Sequence, residues 1–100
     1  MLNVKTEISG DALHIALEGL LDSQTVSDLK SVLYENFDKV NSIEFDFEKL
    51  EYLTSAGLRT ILVAQQAMND KKGVMTVKNV PKEVMDIFDM TGFSDVLTIV

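Results

Sequence analysis

The stretch Ile43-Glu44-Phe45-Asp46-Phe47, followed shortly by Ser55-Ala56-Gly57-Leu58, decides the fold of this chain. In the first part apolar and acidic residues alternate, which is the pattern of a β-strand with one buried face. Beyond Ser55 the apolar residues follow helical spacing, at Leu58, Ile61, Leu62 and Met68. Gly73 is expected to end this helix, because glycine readily adopts a positive φ. The stretch therefore predicts a strand followed by a buried helix.

Upstream of this unit the pattern predicts a hairpin and a helix. Residues 4–8 and 13–17 both alternate, and Ser9-Gly10-Asp11 between them supplies turn residues. In the first strand Val4, Thr6 and Ile8 are expected on the buried face, and Lys5 and Glu7 on the face toward solvent. A helix is predicted over residues 23–38, with Asp22 or Ser23 as its N-cap.

Downstream, residues 74–78 predict a short strand, and Pro81 lies near the first position of a third helix that Thr91-Gly92 ends. Residues 96–100 suit either a last strand or a helical tail. The order ββαβαβα combines a hairpin with parallel crossovers. We therefore expect an α/β fold, a single domain over residues 1–100 with a mixed β-sheet of four to five strands and three to four helices packed on it.

Composition narrows the range of functions. The 100 residues include 9 Lys and Arg against 16 Asp and Glu, a net charge of −7, which argues against nucleic-acid binding. There is no cysteine and one histidine, so no metal site, no cofactor and no catalytic residue is expected. No apolar run approaches the ~20 residues of a membrane span, and the first residues lack signal-peptide features. We expect a cytoplasmic protein.

The candidate site lies at the start of the second helix, beyond the end of a parallel strand. Ser55 is expected to be the N-cap, so that a phosphate on its hydroxyl would meet free backbone N–H groups and the positive end of the helix dipole. Gly57 lacks a side chain, which would let a partner approach closely. Serine also caps helices with no further role. A serine hydrolase is disfavoured, because the motif is not Gly-x-Ser-x-Gly and His14 is the sole possible base.

A second segment is expected to join this site. The adjacent apolar residues Leu20 and Leu21 precede Asp22, and either of them could be exposed or fold inward. The crossover rule places the loops of Asp22 and Ser55 at the same edge of the sheet. Met85 and Met90, which lie off the inward stripe of the third helix, are an alternative partner surface. His14 is expected to face solvent.

Three segments, in order, give the chain a specific resemblance to a known family. Residues 17–22 (LEGLLD) resemble a strand end with a Gly and, three residues on, an Asp before the first helix. Residues 52–58 (YLTSAGL) resemble a signature loop with a serine two residues before a Gly-Leu pair, and residues 87–92 (IFDMTG) resemble a C-terminal pattern. All three are typical of anti-sigma factor antagonists of the STAS family, and the similarity runs nearly end to end.

The resemblance implies a bacterial regulator of transcription that binds an anti-sigma factor, usually a serine kinase, and so releases a sigma factor. The kinase would phosphorylate Ser55, with Thr54 as second choice, and a PP2C-type phosphatase would reverse the reaction. The partner surface would comprise Leu20, Leu21, Asp22, Ser23, Thr54, Ser55, Ala56, Gly57 and Arg59.

Two positions depart from the family pattern, and other functions stay open. Thr54 stands where many relatives have Asp, and Leu20 where many have Glu. The alternative function is a STAS interaction subunit without phosphorylation, for example of an ABC-type lipid transporter, in which Ser55 is only a cap. An enzyme acting on a small molecule is the third possibility, and a nucleotide-binding role lacks a glycine-rich phosphate loop.

Overall fold

A four-stranded mixed sheet organises the chain in the computed structural model, which describes residues 1–100. The strand order is β1-β2-β3-β4; β1 and β2 are antiparallel, and β2, β3 and β4 are mutually parallel. The expected mixed sheet with three helices is confirmed. The elements are β1 (Leu2–Ser9), β2 (Ala12–Leu21), α1 (Val26–Asn36), β3 (Ser42–Leu53), α2 (Ser55–Asp70), β4 (Val74–Lys78), α3 (Lys82–Thr91) and a short 3-10 helix (Phe93–Asp95).

The core lies between the helices and one face of the sheet. Along β2 and β3 every second side chain is buried over the first half of each strand, as the alternation predicts. Phe45, Phe47 and Phe88 are fully buried, and the rings of Phe47 and Phe88 lie 6.3 Å apart, which joins α3 to β3. The opposite face of the sheet carries the polar residues of the alternation.

The first strand is less buried than its pattern predicts. Leu2 is buried, but Thr6 is exposed and Ile8 is 54% exposed. The prediction that Val4, Thr6 and Ile8 share a buried face is therefore wrong for the last two. β1 is the edge strand, and α1 contacts little of it, so the second half of the strand has no helix to pack against.

Gly73 does not end α2 in the predicted way. Lys72 takes the positive φ, at 60°, and Gly73 donates its N–H to the Met68 carbonyl at 2.7 Å. A Cβ on Gly73 would lie 2.3 Å from the backbone oxygen of Asn41. Glycine is needed here because another segment of backbone passes close to it.

The C-terminal tail forms a single bridge with β4 rather than a strand or a helix. Val77 donates its N–H to the Thr98 carbonyl at 2.9 Å and accepts from Val100 N–H at 3.0 Å. Leu97 is buried and anchors the segment.

No helix has the length and apolar character needed to cross a bilayer, since the longest, α2, has 16 residues.

Candidate functional site

The segments around Asp22 and Ser55 lie side by side. β2 and β3 are parallel and end at the same level, where Leu21 pairs with Leu53. Thr54 then donates its N–H to the Leu21 carbonyl at 3.0 Å. This hydrogen bond links the two chain segments one residue beyond the sheet, so the geometry agrees with the expectation that the two loops are neighbours.

Thr54, not Ser55, is the N-cap of α2. Thr54 has an extended conformation with φ −100° and ψ −179°, and Ser55 is the first helical residue. The first helical hydrogen bond runs from Leu58 N–H to the Thr54 carbonyl at 3.0 Å. The N–H groups of Ser55, Ala56 and Gly57 precede it, and the Thr54 side chain makes no capping bond. The helix therefore begins with uncapped donors at its positive end.

We call the adjoining segments 20–23 and 54–57 the junction. Its Thr54 and Ser55 hydroxyl groups have opposite environments. Ser55 is exposed, whereas the Thr54 Oγ1 atom is inaccessible to solvent and has no hydrogen-bond partner. A buried hydroxyl without a partner costs about 1–3 kcal/mol. The Ser55 side chain is therefore accessible to another protein, whereas the Thr54 hydroxyl is not.

Gly57 and Leu21 are buried against each other, which corrects two sequence-based predictions. Leu21 is fully buried, and a Cβ on Gly57 would lie 2.8 Å from its Cγ. The missing side chain of Gly57 therefore makes room for Leu21, not for a partner protein. Neither residue offers surface at this site, although both were expected in the partner-binding set.

A hydrogen-bonded turn connects β2 to α1. Asp22 Oδ1 accepts from the backbone N–H groups of Gln24 at 2.9 Å and Thr25 at 3.0 Å. Thr25 Oγ1 accepts from Asp22 N–H at 2.9 Å and donates to the Leu20 carbonyl at 2.9 Å. The reciprocal bonds resemble a capping box, with threonine in the place of glutamate. These bonds close a turn ahead of the helix, so Thr25, not Asp22 or Ser23, is the N-cap and α1 begins at Val26 rather than at residue 23 as predicted.

The same bonds give Asp22 a structural role. The hydrogen bonds from the backbone of Thr25 and then Gln24 lower the pKa of the Asp22 carboxyl below its ordinary value. Asp22 is therefore ionised near neutral pH while it holds the turn. Sequence analysis missed Thr25, although the spacing Asp22-x-x-Thr25 was visible.

Two exposed apolar side chains lie at the edge of the junction. Leu20 is 41% exposed, and its register partner on β3, Tyr52, is 51% exposed. Tyr52 was not predicted as a site residue, although alternation from Phe47 places it on the exposed face of β3. The buried positions of β3 change to a spacing of three residues at Phe47, Leu50 and Leu53, where the β2–β3 register shifts.

Arg59 and Ser23 complete the exposed part of the predicted surface. Both are exposed, and Arg59 makes no salt bridge. Arg59 lies four residues after Ser55, so the two side chains share a face of α2. Of the alternative pair on α3, Met85 packs partly against the core and Met90 alone is fully exposed.

The remaining charged cluster lies elsewhere, on the open face of the sheet. His14 Nδ1 is 2.9 Å from Glu44 Oε1, and Lys78 Nζ is 3.3 Å from the same atom. The hydrogen bond with His14 and the interaction with Lys78 lower the pKa of Glu44. His14 faces the open side of the sheet, as expected, with its side chain partly covered, and it is seven residues earlier on β2 than Leu21.

The chain matches a known family over nearly its whole length. The model of the STAS domain matches residues 3–100, and the chain belongs to this family. The proposed anti-sigma factor antagonist BtrV of Bordetella bronchiseptica is 26% identical over 91 residues, which cover 89% of this chain and 78% of BtrV.

Solved structures share the fold. The anti-sigma factor antagonist SpoIIAA in its unphosphorylated form has a TM-score of 0.80 at 18% identity, covering 98% of this chain and 87% of that one. The phosphorylated form, from Bacillus, also gives 0.80, at 19% identity with 98% and 91% covered. A proposed anti-sigma factor antagonist of Thermotoga maritima reaches 0.88 at 15% identity, covering 96% and 84%.

Proposed function

We propose that this protein is a phosphorylation-controlled anti-sigma factor antagonist. In its unmodified form it binds an anti-sigma factor with serine kinase activity, and a sigma factor is released. Phosphorylation of Ser55 ends the binding, and a PP2C-type phosphatase restores it. The observation that carries this proposal is the exposed Ser55 hydroxyl at an uncapped helix start, beside the Leu20–Ser23 segment.

The environment of Ser55 suits a phosphate. The group would add about −1.5 to −2 charges next to the N-terminus of a 16-residue helix, whose unpaired N–H groups and dipole favour anions. Arg59, exposed and without an ion pair, is one turn away on the same face. Phosphorylation should therefore leave the fold of this chain unchanged. Its similarity to the phosphorylated and unphosphorylated forms of SpoIIAA, at the same TM-score, supports that expectation.

The effect of the phosphate would then fall on the partner. Leu20 and Tyr52 offer apolar area at the ends of β2 and β3, three residues before Ser23 and Ser55, and Ala56 adds a small side chain. A partner shaped to cover this mixed surface would have to desolvate the new charges in an already acidic protein. Loss of binding follows from that cost and needs no rearrangement of the antagonist.

The test uses the wild-type chain and the variants Ser55→Ala and Thr54→Val, incubated with the cognate anti-sigma kinase and ATP. We expect one phosphate, mapped to Ser55 by mass spectrometry, absent in Ser55→Ala and retained in Thr54→Val. The phosphorylated chain should no longer co-elute with the kinase, and PP2C-type phosphatase treatment should restore co-elution. Phosphate on Thr54 or Ser23, or undiminished binding after phosphorylation, would refute the proposal.

The same variants separate the alternative function. In an interaction subunit of an ABC-type lipid transporter, the surface would dock on a permease or ATPase component with Ser55 as an ordinary first-turn residue. Ser55→Ala would then bind normally, and no kinase would modify the wild-type chain. Whether the neighbouring genes encode a kinase and a phosphatase or a permease gives the first indication of which partner to purify.

A further inference from the structure

The two edges of the sheet are protected to different degrees. The outer edge of β4 is covered at Val77 by the C-terminal tail. The outer edge of β1 has no partner along its eight residues, Leu2–Ser9. Natural edge strands are usually shielded by charged side chains, lysine above all, or by proline, bulges or short length. β1 carries one lysine, Lys5, with Glu7 two residues further on. β1 has no proline, and its register with β2 runs without a shift from Leu2 to Ser9.

The sequence of this edge is complementary to itself. In Val4-Lys5-Thr6-Glu7-Ile8, Thr6 is flanked by two residues of opposite charge, Lys5 and Glu7. The next residue outward on each side is apolar, Val4 or Ile8. If two copies pair antiparallel about a two-fold axis at Thr6, Lys5 of each strand lies opposite Glu7 of the other. Val4 likewise lies opposite Ile8. Opposite charges and apolar pairs at directly opposed positions stabilise antiparallel strands.

We propose that β1 is a homodimerisation edge, through which two copies form a continuous eight-stranded sheet with the dyad at Thr6. The register is specific. A dyad at Lys5 or at Glu7 would place like charges opposite each other. A shift by one residue is excluded, because directly opposed side chains must lie on the same face of the sheet. The pairing would also shield Ile8, which is 54% exposed.

The dimer leaves the proposed phosphorylation site free. Leu2 pairs with Gly19, so the functional junction lies near the N-terminal end of β1. Because the two β1 strands run in opposite directions, the two junctions would lie at opposite ends of the joined sheet. Dimerisation and partner binding are therefore separate properties, and either proposal can fail alone.

Charge reversal tests the register directly. Lys5 and Glu7 are both exposed and lie outside the functional junction. Lys5→Glu alone opposes Glu to Glu, and Glu7→Lys alone opposes Lys to Lys. The double variant Lys5→Glu/Glu7→Lys restores opposite charges. So does an equimolar mixture of the two single variants, because only their mixed pair places Glu opposite Lys.

The measurement is sedimentation velocity over a concentration series at low salt, with circular dichroism to show that every variant is folded. We expect a concentration-dependent dimer for the wild type, a dissociation constant raised by about tenfold or more in each single variant, and recovery in the double variant and in the mixture. A wild-type monomer at all concentrations would overturn the proposal. So would single variants that dimerise like the wild type, or a mixture that does not recover.

Discussion

Replacing Gly57 with alanine tests the packing that joins α2 to the end of β2. The added Cβ would lie 2.8 Å from Leu21 Cγ, 2.9 Å from Leu21 Cδ2 and 3.1 Å from the Leu21 backbone oxygen. Leu21 is fully buried and cannot move into solvent. Its backbone oxygen also accepts the hydrogen bond from Thr54, so the chain has little freedom to retreat.

Two opposing effects set the change that Gly57→Ala makes to the free energy of unfolding. Alanine in place of glycine favours an α-helix by about 1 kcal/mol. Overpacking a filled core costs about 1–3 kcal/mol. We therefore expect Gly57→Ala to lower the free energy of unfolding by about 1 kcal/mol. In a Leu21→Ala background, which itself costs about 2–5 kcal/mol, the side-chain clash is removed and only the contact with the Leu21 backbone oxygen remains. Gly57→Ala should therefore be less unfavourable there than in the wild type, by about 1 kcal/mol or more.

The assay is urea denaturation followed by circular dichroism on the four members of this double-mutant cycle. Comparing Gln66→Gly with Gln66→Ala, at an exposed position of the same helix, measures the intrinsic preference for alanine. The reasoning is refuted if Gly57→Ala has the same effect on the free energy of unfolding in the wild type as in Leu21→Ala. Glycine would then not be required by the close approach of Leu21.

Three further predictions concern the same elements. Ser55→Asp should change the unfolding free energy by less than about 1 kcal/mol, because a negative charge suits the first turn of a helix; a loss above about 2 kcal/mol in urea denaturation would contradict this. Gly73→Ala should cost about 1–3 kcal/mol in the same assay, because its Cβ would meet the Asn41 carbonyl oxygen at 2.3 Å, and an unchanged midpoint would count against it. The lowered pKa of Asp22 means that its contribution to stability is present above its ordinary pKa, near 4, and is lost as the pH falls through the folded-state value. Wild type should therefore lose more stability than Asp22→Asn between pH 7 and pH 3 in thermal unfolding, and equal losses would show that the turn does not depend on the carboxylate.

Much of the fold could be predicted because hydrophobic periodicity is a local signal. The alternation at Ile43–Phe47 and the helical spacing beyond Ser55 specified a strand and a helix, and the crossover rule correctly placed the two loops at one end of the sheet. The burial of Ile8 was mispredicted because burial depends on a distant part of the chain. Its pattern shows which face it lies on, but only the position of α1 decides whether that face is covered.

The site was harder to predict in detail. Serine and threonine are both good N-caps, so Thr54-Ser55 does not reveal which of them begins the helix. The role of Gly57 depends on Leu21, thirty-six residues earlier in the chain, and no local pattern links the two. Alternation from Phe47 does place Tyr52 on the exposed face, but its position opposite Leu20 depends on the β2–β3 register, which sequence periodicity cannot locate.

The uncapped start of α2 has a consequence for how strongly an oxyanion is held there. Had residue 54 been an aspartate, its carboxylate could have bound the first-turn N–H groups already, and a phosphate on Ser55 would have met both competition and repulsion. Thr54 instead turns its hydroxyl into the protein and leaves those donors without a side-chain ligand. The residue preceding the serine thus sets the difference in stability between the modified and unmodified states. A phosphate on Ser55 would therefore find those donors free in this chain, and a phosphatase that removes it would have to withdraw it from them.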